Sequence, residues 1–177
     1  PGGFNKREGK ASEHAVLTSR VIDRPMRPLF PKDYRNDVTL NNMVMSVDPQ
    51  CNPEVVAMLG SSIATCISDI PFDGPCAATQ VGMIDGELII NPTLEQNAKS
   101  DLKLTVASTR EKVIMIEAGA NEVPEAKMIE AIFEADKVNK EIIAFIDKIV
   151  ADCGKAKHSY ESCAVPEELF AAMKEIV

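Results

Sequence analysis

No stretch of this sequence approaches the roughly 18 consecutive apolar residues that carry a helix across a bilayer. Nor does its first segment, Pro1-Gly2-Gly3-Phe4-Asn5-Lys6-Arg7, hold the apolar core of a secretory signal. Together these absences set the expectation of a cytoplasmic protein with no membrane partner. Histidine is scarce: His14 and His158 are the only two, far apart and without metal-ligand spacing. The five cysteines, Cys51, Cys66, Cys76, Cys153 and Cys163, are odd in number and include no C-x-x-C pair. That argues against a disulfide framework or a zinc site and for reduced, packing thiols. No internal repeat or low-complexity tract interrupts the chain.

What is present reads as globular. The 177 residues are 45% hydrophobic, with a mean hydropathy of -0.05. That is enough for one domain with a core, or a domain plus a helical appendage. A net charge of -8 runs against nucleic-acid binding, but its distribution is uneven. Residues 1–35 hold eight basic residues against four acids, whereas residues 36–177 hold 11 against 23. Five of the six arginines fall in that first segment. Such asymmetry suggests a local anion site on an acidic body, with ordinary solvated charge as the plain alternative.

Along the chain, residues 1–11 read as a Gly-rich polar loop. Ser12 caps a helix predicted to run to about Asp23, because Pro25 disfavours helical geometry at Arg24. The apolar run Val38–Val47 predicts a buried strand. Asn52-Pro53-Glu54 is a helix start, combining a cap, a proline at the first turn and an acid at the positive dipole end. The small residues Gly60, Ser61, Ser62 and Ala64 should let that helix lie close on a sheet. Asp85-Gly86 between Val81–Ile84 and Glu87–Ile90 predicts a hairpin with a type I′ turn. Strands come next near Leu102–Ala107 and Val113–Glu117, then a long amphipathic helix from Pro124 to about Asp152 with Gly154 as its cap. A polar linker, Lys155–Ser162, leads to a last helix opened by Pro166. The order of elements is α+β. A start inside a Gly-rich loop, without methionine, and a stop within a helix lead us to expect a piece of a longer protein.

Two clusters carry chemistry. Arg20 and Arg24 share a helix face, and Arg27 stands just past Pro25. Their mutual repulsion would be relieved by an anion, and the guanidinium fork suits phosphate oxygens. Asp23 offers the competing explanation, since it lies three residues from Arg20 and four from Arg27; from spacing alone, that intramolecular pairing is preferred. The loop Phe4-Asn5-Lys6-Arg7-Glu8-Gly9-Lys10 combines an aromatic with cations, an arrangement that stacks a base and holds a single-stranded backbone.

The run from Gly2-Gly3-Phe4 through Lys6-Arg7-Glu8-Gly9-Lys10, Ser12-Glu13 and Leu17-Thr18-Ser19-Arg20-Val21-Ile22-Asp23-Arg24-Pro25-Met26-Arg27-Pro28-Leu29-Phe30 resembles the bacterial polynucleotide phosphorylase family. The resemblance continues through Gly60-Ser61-Ser62, Ile70-Pro71-Phe72-Asp73-Gly74-Pro75, Ile90-Asn91-Pro92-Thr93 and Glu117-Ala118-Gly119-Ala120. It implies the first of two RNase PH-like domains, a β-α sandwich type, over residues 1–154 and lacking its N-terminal strands. Residues 155–177 would begin the family's all-helical linker. The implied activity of the complete protein is 3′-to-5′ phosphorolysis of single-stranded RNA to nucleoside diphosphates, with inorganic phosphate as co-substrate. A homotrimeric ring is implied, with association to RNA-degradation machinery possible for the family. Phe4, Lys6, Arg7 and Lys10 become RNA contacts, and Arg20, Arg24 and Arg27 contacts to phosphate or RNA backbone. Asn5 departs from a usually apolar or aromatic position and Lys6 from a frequent arginine.

The same resemblance implies that chemistry lies elsewhere. The serines of the active G-S-S-S-type phosphate cradle fall on Asn52, Pro53 and Glu54. Of the metal-binding and acid/base positions only Asp101 keeps an acid; the second aspartate falls on Lys103 and the lysine on Thr105. Magnesium would then be held by a second domain outside this chain. A purely structural, inert subunit without RNA contact is the alternative. Asp101 reads as a surface carboxylate at a strand edge. Glu117, an acid in an apolar strand, is either a remnant or the partner of a cation.

Overall fold

Ser12 starts the first helix: its hydroxyl accepts the Ala15 amide at 3.1 Å. In the computed structural model, which describes residues 11–48, 50–165 and 167–176, this helix, α1, spans Glu13–Met26. It therefore runs past its predicted end and carries Pro25 inside it. The proline ring forfeits one backbone bond, yet Ile22, Pro25 and Met26 are buried beneath it. The Arg27 amide still reaches the Asp23 carbonyl. Packing outweighs the local preference, and a 3-10 turn, Arg27–Leu29, ends the run.

The predicted strand at Val38–Val47 does not form. The segment is irregular, and Met43 (79% exposed), Met45 (85%) and their neighbours Val44 and Val47 face outward. Apolar composition alone does not make a strand, because a ladder needs a partner; none of the four strands of the sheet joins this segment.

Asn52 caps α2 (Pro53–Ile67) with Pro53 in its first turn, as the sequence predicts. Its inward face is Met58, Ser61, Ser62, Thr65 and Cys66, whereas Gly60 and Ala64 point outward. The Ser62 hydroxyl accepts the Cys76 amide at 3.1 Å, tying α2 to the entry of β1 (Ala77–Ile84). The hairpin to β2 (Glu87–Ile90) pairs Ile84 with Glu87. Asp85 and Gly86 have φ of 53° and 83°, the left-handed pair that a type I′ turn requires. A short helix that the sequence did not predict, α3 (Leu94–Lys99), is fixed by a reciprocal capping box between Thr93 and Gln96.

Strands β3 (Leu102–Ser108) and β4 (Val113–Ala120) complete an antiparallel sheet in the order β2-β1-β3-β4. Its two faces are covered by different helices. Val81, Met83, Leu102, Leu104 and Val106 meet Ala131 and Ala135 of α4 (Glu125–Cys153). Ala78, Ala107 and Met115 meet Ile22 and Met26 of α1 and Met58 of α2. Under α4, Asn139 is fully buried. It accepts from Thr79 at 2.7 Å and donates to the Val106 carbonyl and the Ser108 hydroxyl. The apolar series of α4 is wider than its buried face: Ile129, Phe133 and Phe145 are exposed. Gly154 ends α4 at an ordinary φ of -68°, not in the left-handed region. A Cβ there would stand 2.4 Å from the Val150 carbonyl oxygen, so close approach rather than handedness explains the glycine.

The stretch after α4 stays on the body. The Lys157 ammonium donates to the Thr65, Cys66 and Ser68 carbonyls at the end of α2, at 2.8–3.1 Å. α2 has no basic residue in its own last turn, so Lys157 supplies the cation its negative dipole end favours. A last helix, α5, spans Glu167–Ile176; Pro166 lies outside the described residues.

Candidate nucleic-acid interface

Helix α1 and the irregular chain after the 3-10 turn enclose an open groove of about 1230 Å³. Arg20 lines it from α1 and Arg27 from the 3-10 turn, and Lys32 and Arg35 line it from the chain beyond Pro31. Three carboxylates share the wall, Asp23, Asp37 and Glu54. Glu54 faces the His14 ring at 3.5 Å. The groove is thus the place where a chain of net charge -8 gathers four cations. A smaller depression on the outer side of α4 has Lys137 and Lys140 balanced by Asp136 and Glu141.

The three arginines do not act alike. Arg20 has no ion-pair partner among the described residues. Arg27 closes on Asp23, its Nε donating to Oδ2 at 3.0 Å and its Nη2 to Oδ1 at 2.7 Å. Arg24 turns away from the groove to β4, where its Nη1 donates to Glu117 Oε2 at 3.2 Å. That gives Glu117 a cation partner. Both pairs leave donors over: a guanidinium has five N–H groups, and Nη1 of Arg27 takes no part in its pair. Both pairs are also solvent-exposed, with Arg27 76% exposed, and such pairs contribute only about 0–1 kcal/mol. Phe4, Lys6, Arg7 and Lys10 lie outside the described residues. Lys32 and Arg35 belong to no motif; the excess of basic residues before position 36 is the sequence signal that holds them.

The positions matching the active cradle are closed from within. Asn52 Oδ1 accepts the Glu54 amide at 3.0 Å, while its Nδ2 donates to the buried Gln80 at 2.8 Å. Pro53 has no amide hydrogen to offer, and Glu54 sets a carboxylate in the first turn. Asp101 is exposed just before β3, and Lys103, two residues on, is exposed too. A cation two positions from a lone carboxylate does not fit a magnesium site, which takes hard oxygen donors in octahedral geometry. Among the described residues no three His, Cys, Asp or Glu cluster as metal ligands.

Two family models match. Residues 2–71 match the 3′ exoribonuclease family, domain 1, and residues 74–138 match the 3′ exoribonuclease family, domain 2. The chain is 77% identical over 177 residues to polyribonucleotide nucleotidyltransferase of Lachnoclostridium phytofermentans, covering all of this chain and 25% of that protein. It is 57% identical over 175 residues to the protein of the same name from Ruminiclostridium cellulolyticum, covering 99% of this chain and 25% of that one. It thus spans about a quarter of the length of these relatives. Among solved structures, rice (Oryza sativa) Rrp46 superposes with a TM-score of 0.62 at 12% identity, over 80% of this chain and 68% of that chain. That likeness is one of fold.

Proposed function

Since this chain belongs to the 3′ exoribonuclease family, we propose that it is the first RNase PH-like quarter of a phosphorolytic enzyme that degrades RNA from its 3′ end to nucleoside diphosphates. Within that enzyme it guides single-stranded RNA and builds the trimeric ring, while bond breaking belongs to another domain. Inorganic phosphate is the co-substrate there, and magnesium is held by that other domain. The whole protein works in the cytoplasm.

The observation that carries the guiding role is the groove in which Arg20, Arg27, Lys32 and Arg35 converge. Phosphate oxygens accept from guanidinium groups in paired, parallel hydrogen bonds. Arg20 is the first donor, and Arg27 is held in a fixed direction by Asp23 while keeping free N–H groups. An RNA phosphate entering the groove therefore meets an oriented fork and loses at most a weak exposed pair. Phe4, Lys6, Arg7 and Lys10 belong to the same reading through the family resemblance: a base stacks on Phe4 while the cations hold the strand upstream. Arg24 contributes from the side of β4, exchanging Glu117 for phosphate.

Inactivity of this domain is supported by the closed α2 terminus and by Asp101 standing beside Lys103. One observation favours the inert-subunit alternative: two of the three arginines already have carboxylate partners. Binding separates the readings. In the full-length protein, titration with oligo(A) at several salt concentrations should give a flatter slope for Arg20→Ala and Arg27→Ala than for wild type. Unchanged affinity and slope in both would leave only the structural role.

A further inference from the structure

Lys32 and Arg35 stand on a short turn, closed by the Tyr34 amide on the Pro31 carbonyl at 3.1 Å. Neither has an ion-pair partner among the described residues, so something else must hold the turn in place. The turn is gripped by the chain beyond α4. The Tyr160 hydroxyl donates to Asp33 Oδ1 at 2.8 Å, and the Ser162 hydroxyl donates to Asp33 Oδ2. The Tyr34 ring stands edge-on to Tyr160 with centroids 5.1 Å apart, and its hydroxyl lies 3.3 Å from His158 Nε2. Hydrogen bonds from Ser162 and then Tyr160 hold the Asp33 carboxyl below its ordinary range. The grip is itself anchored: Lys157 is bound to three carbonyls at the end of α2, and the His158 amide donates to the Asp69 carbonyl at 2.8 Å.

We infer that residues 157–162 form a latch, in which Tyr160 and Ser162 are positioning residues that aim Lys32 and Arg35 into the RNA groove by holding Asp33. This rests on the groove being an RNA contact, the function proposed for it. The physical reason is entropic. Long cationic side chains on a free turn would be ordered only on binding, at a cost in affinity. Carboxylate hydrogen bonds to Asp33 and the packing of Tyr34 on Tyr160 fix the backbone of the turn beforehand, leaving only the side-chain ends to be placed. A segment that sequence composition marks as a linker thereby couples the chain beyond α4 to RNA capture.

The test compares four full-length proteins: wild type, Lys32→Ala/Arg35→Ala, Tyr160→Phe/Ser162→Ala, and the combination. Each is measured for thermal stability, oligo(A) affinity across salt, and KM and kcat of phosphorolysis. The cation variant should flatten the log–log salt slope by ~0.7 for each RNA phosphate that no longer meets a cation. The latch variant should raise KM several-fold with kcat near wild type, and it should add nothing further in the combination. A latch variant whose KM matches wild type, or whose effect adds in full to the cation variant, overturns the latch while leaving the groove standing. A cation variant with unchanged affinity and slope removes the groove, and the latch with it. Tyr160→Phe alone, which keeps the ring against Tyr34, guards against a folding defect: it should retain the wild-type melting temperature yet move KM in the same direction.

Discussion

Arg27 and Asp23, one helical turn apart, form a two-pronged ion pair across the last turn of α1, with Nη2 2.7 Å from Oδ1 and Nε 3.0 Å from Oδ2. The pair bridges the end of α1 and the start of the 3-10 turn, so the guanidinium is aimed before any ligand arrives. Asp23→Asn removes a competitor for Arg27 and with it the aim. Because exposed pairs contribute about 0–1 kcal/mol, we expect oligo(A) affinity to change less in Asp23→Asn than in Arg27→Ala. Titration of both variants checks this, and a larger loss in Asp23→Asn would mean that the carboxylate, not the cation, is the functional partner.

Asp101→Asn in the full-length protein should leave phosphate-dependent release of nucleoside diphosphates unchanged, since Asp101 is an exposed carboxylate beside a lysine position. A steep fall in kcat would show that this domain takes part in the chemistry after all.

Asn139→Ala should destabilise the fold. It strips the fully buried Val106 carbonyl, Ser108 hydroxyl and Thr79 hydroxyl of their shared partner. Each buried group left unpaired costs about 1–3 kcal/mol. Urea unfolding should show a lowered midpoint, whereas a variant as stable as wild type would mean that water replaces the amide.

Burial pushes the Cys76 thiol up to about 11 from an ordinary value of 9.0, and Cys66 rises for the same reason. An unfolded chain releases these protons at lower pH than the folded one. For Cys76 the contribution to stability is therefore full below pH 9 and is lost as pH rises from there through about 11, and Cys66 acts in the same direction. In the native state a thiol reagent at pH 8 should label the exposed Cys51, Cys153 and Cys163 and spare Cys66 and Cys76. Rapid labelling of Cys76 in folded protein would contradict the packing.

Local signals carried much of this fold. Asn52-Pro53-Glu54 and Asp85-Gly86 are stereochemical instructions that need no distant partner, and both elements form where they predict. The failures are non-local. Pro25 stays inside α1 because its ring is buried against other elements, which no window of sequence reveals. Val38–Val47 has strand composition, but strand formation depends on a neighbour that composition does not supply. The candidate site was legible in the same uneven way. Family resemblance and charge pointed to Arg20, Arg24 and Arg27, yet spacing could not say that Arg24 faces β4 while Arg27 faces the groove. Lys32 and Arg35 join them only because the chain folds back, and the Lys155–Ser162 stretch reads as polar linker although Lys157 and Tyr160 are tied to α2 and Asp33.

The most direct test of the guiding role is the salt dependence of oligo(A) binding by the full-length protein carrying Arg20→Ala and Arg27→Ala together. With both arginines on RNA phosphates, the log–log slope should flatten by ~1.4, twice the ~0.7 expected for each contact to a single strand, and affinity should fall alike for different RNA sequences. A slope and affinity equal to those of wild type would contradict the account, leaving the arginine cluster to hold helix α1 and nothing more.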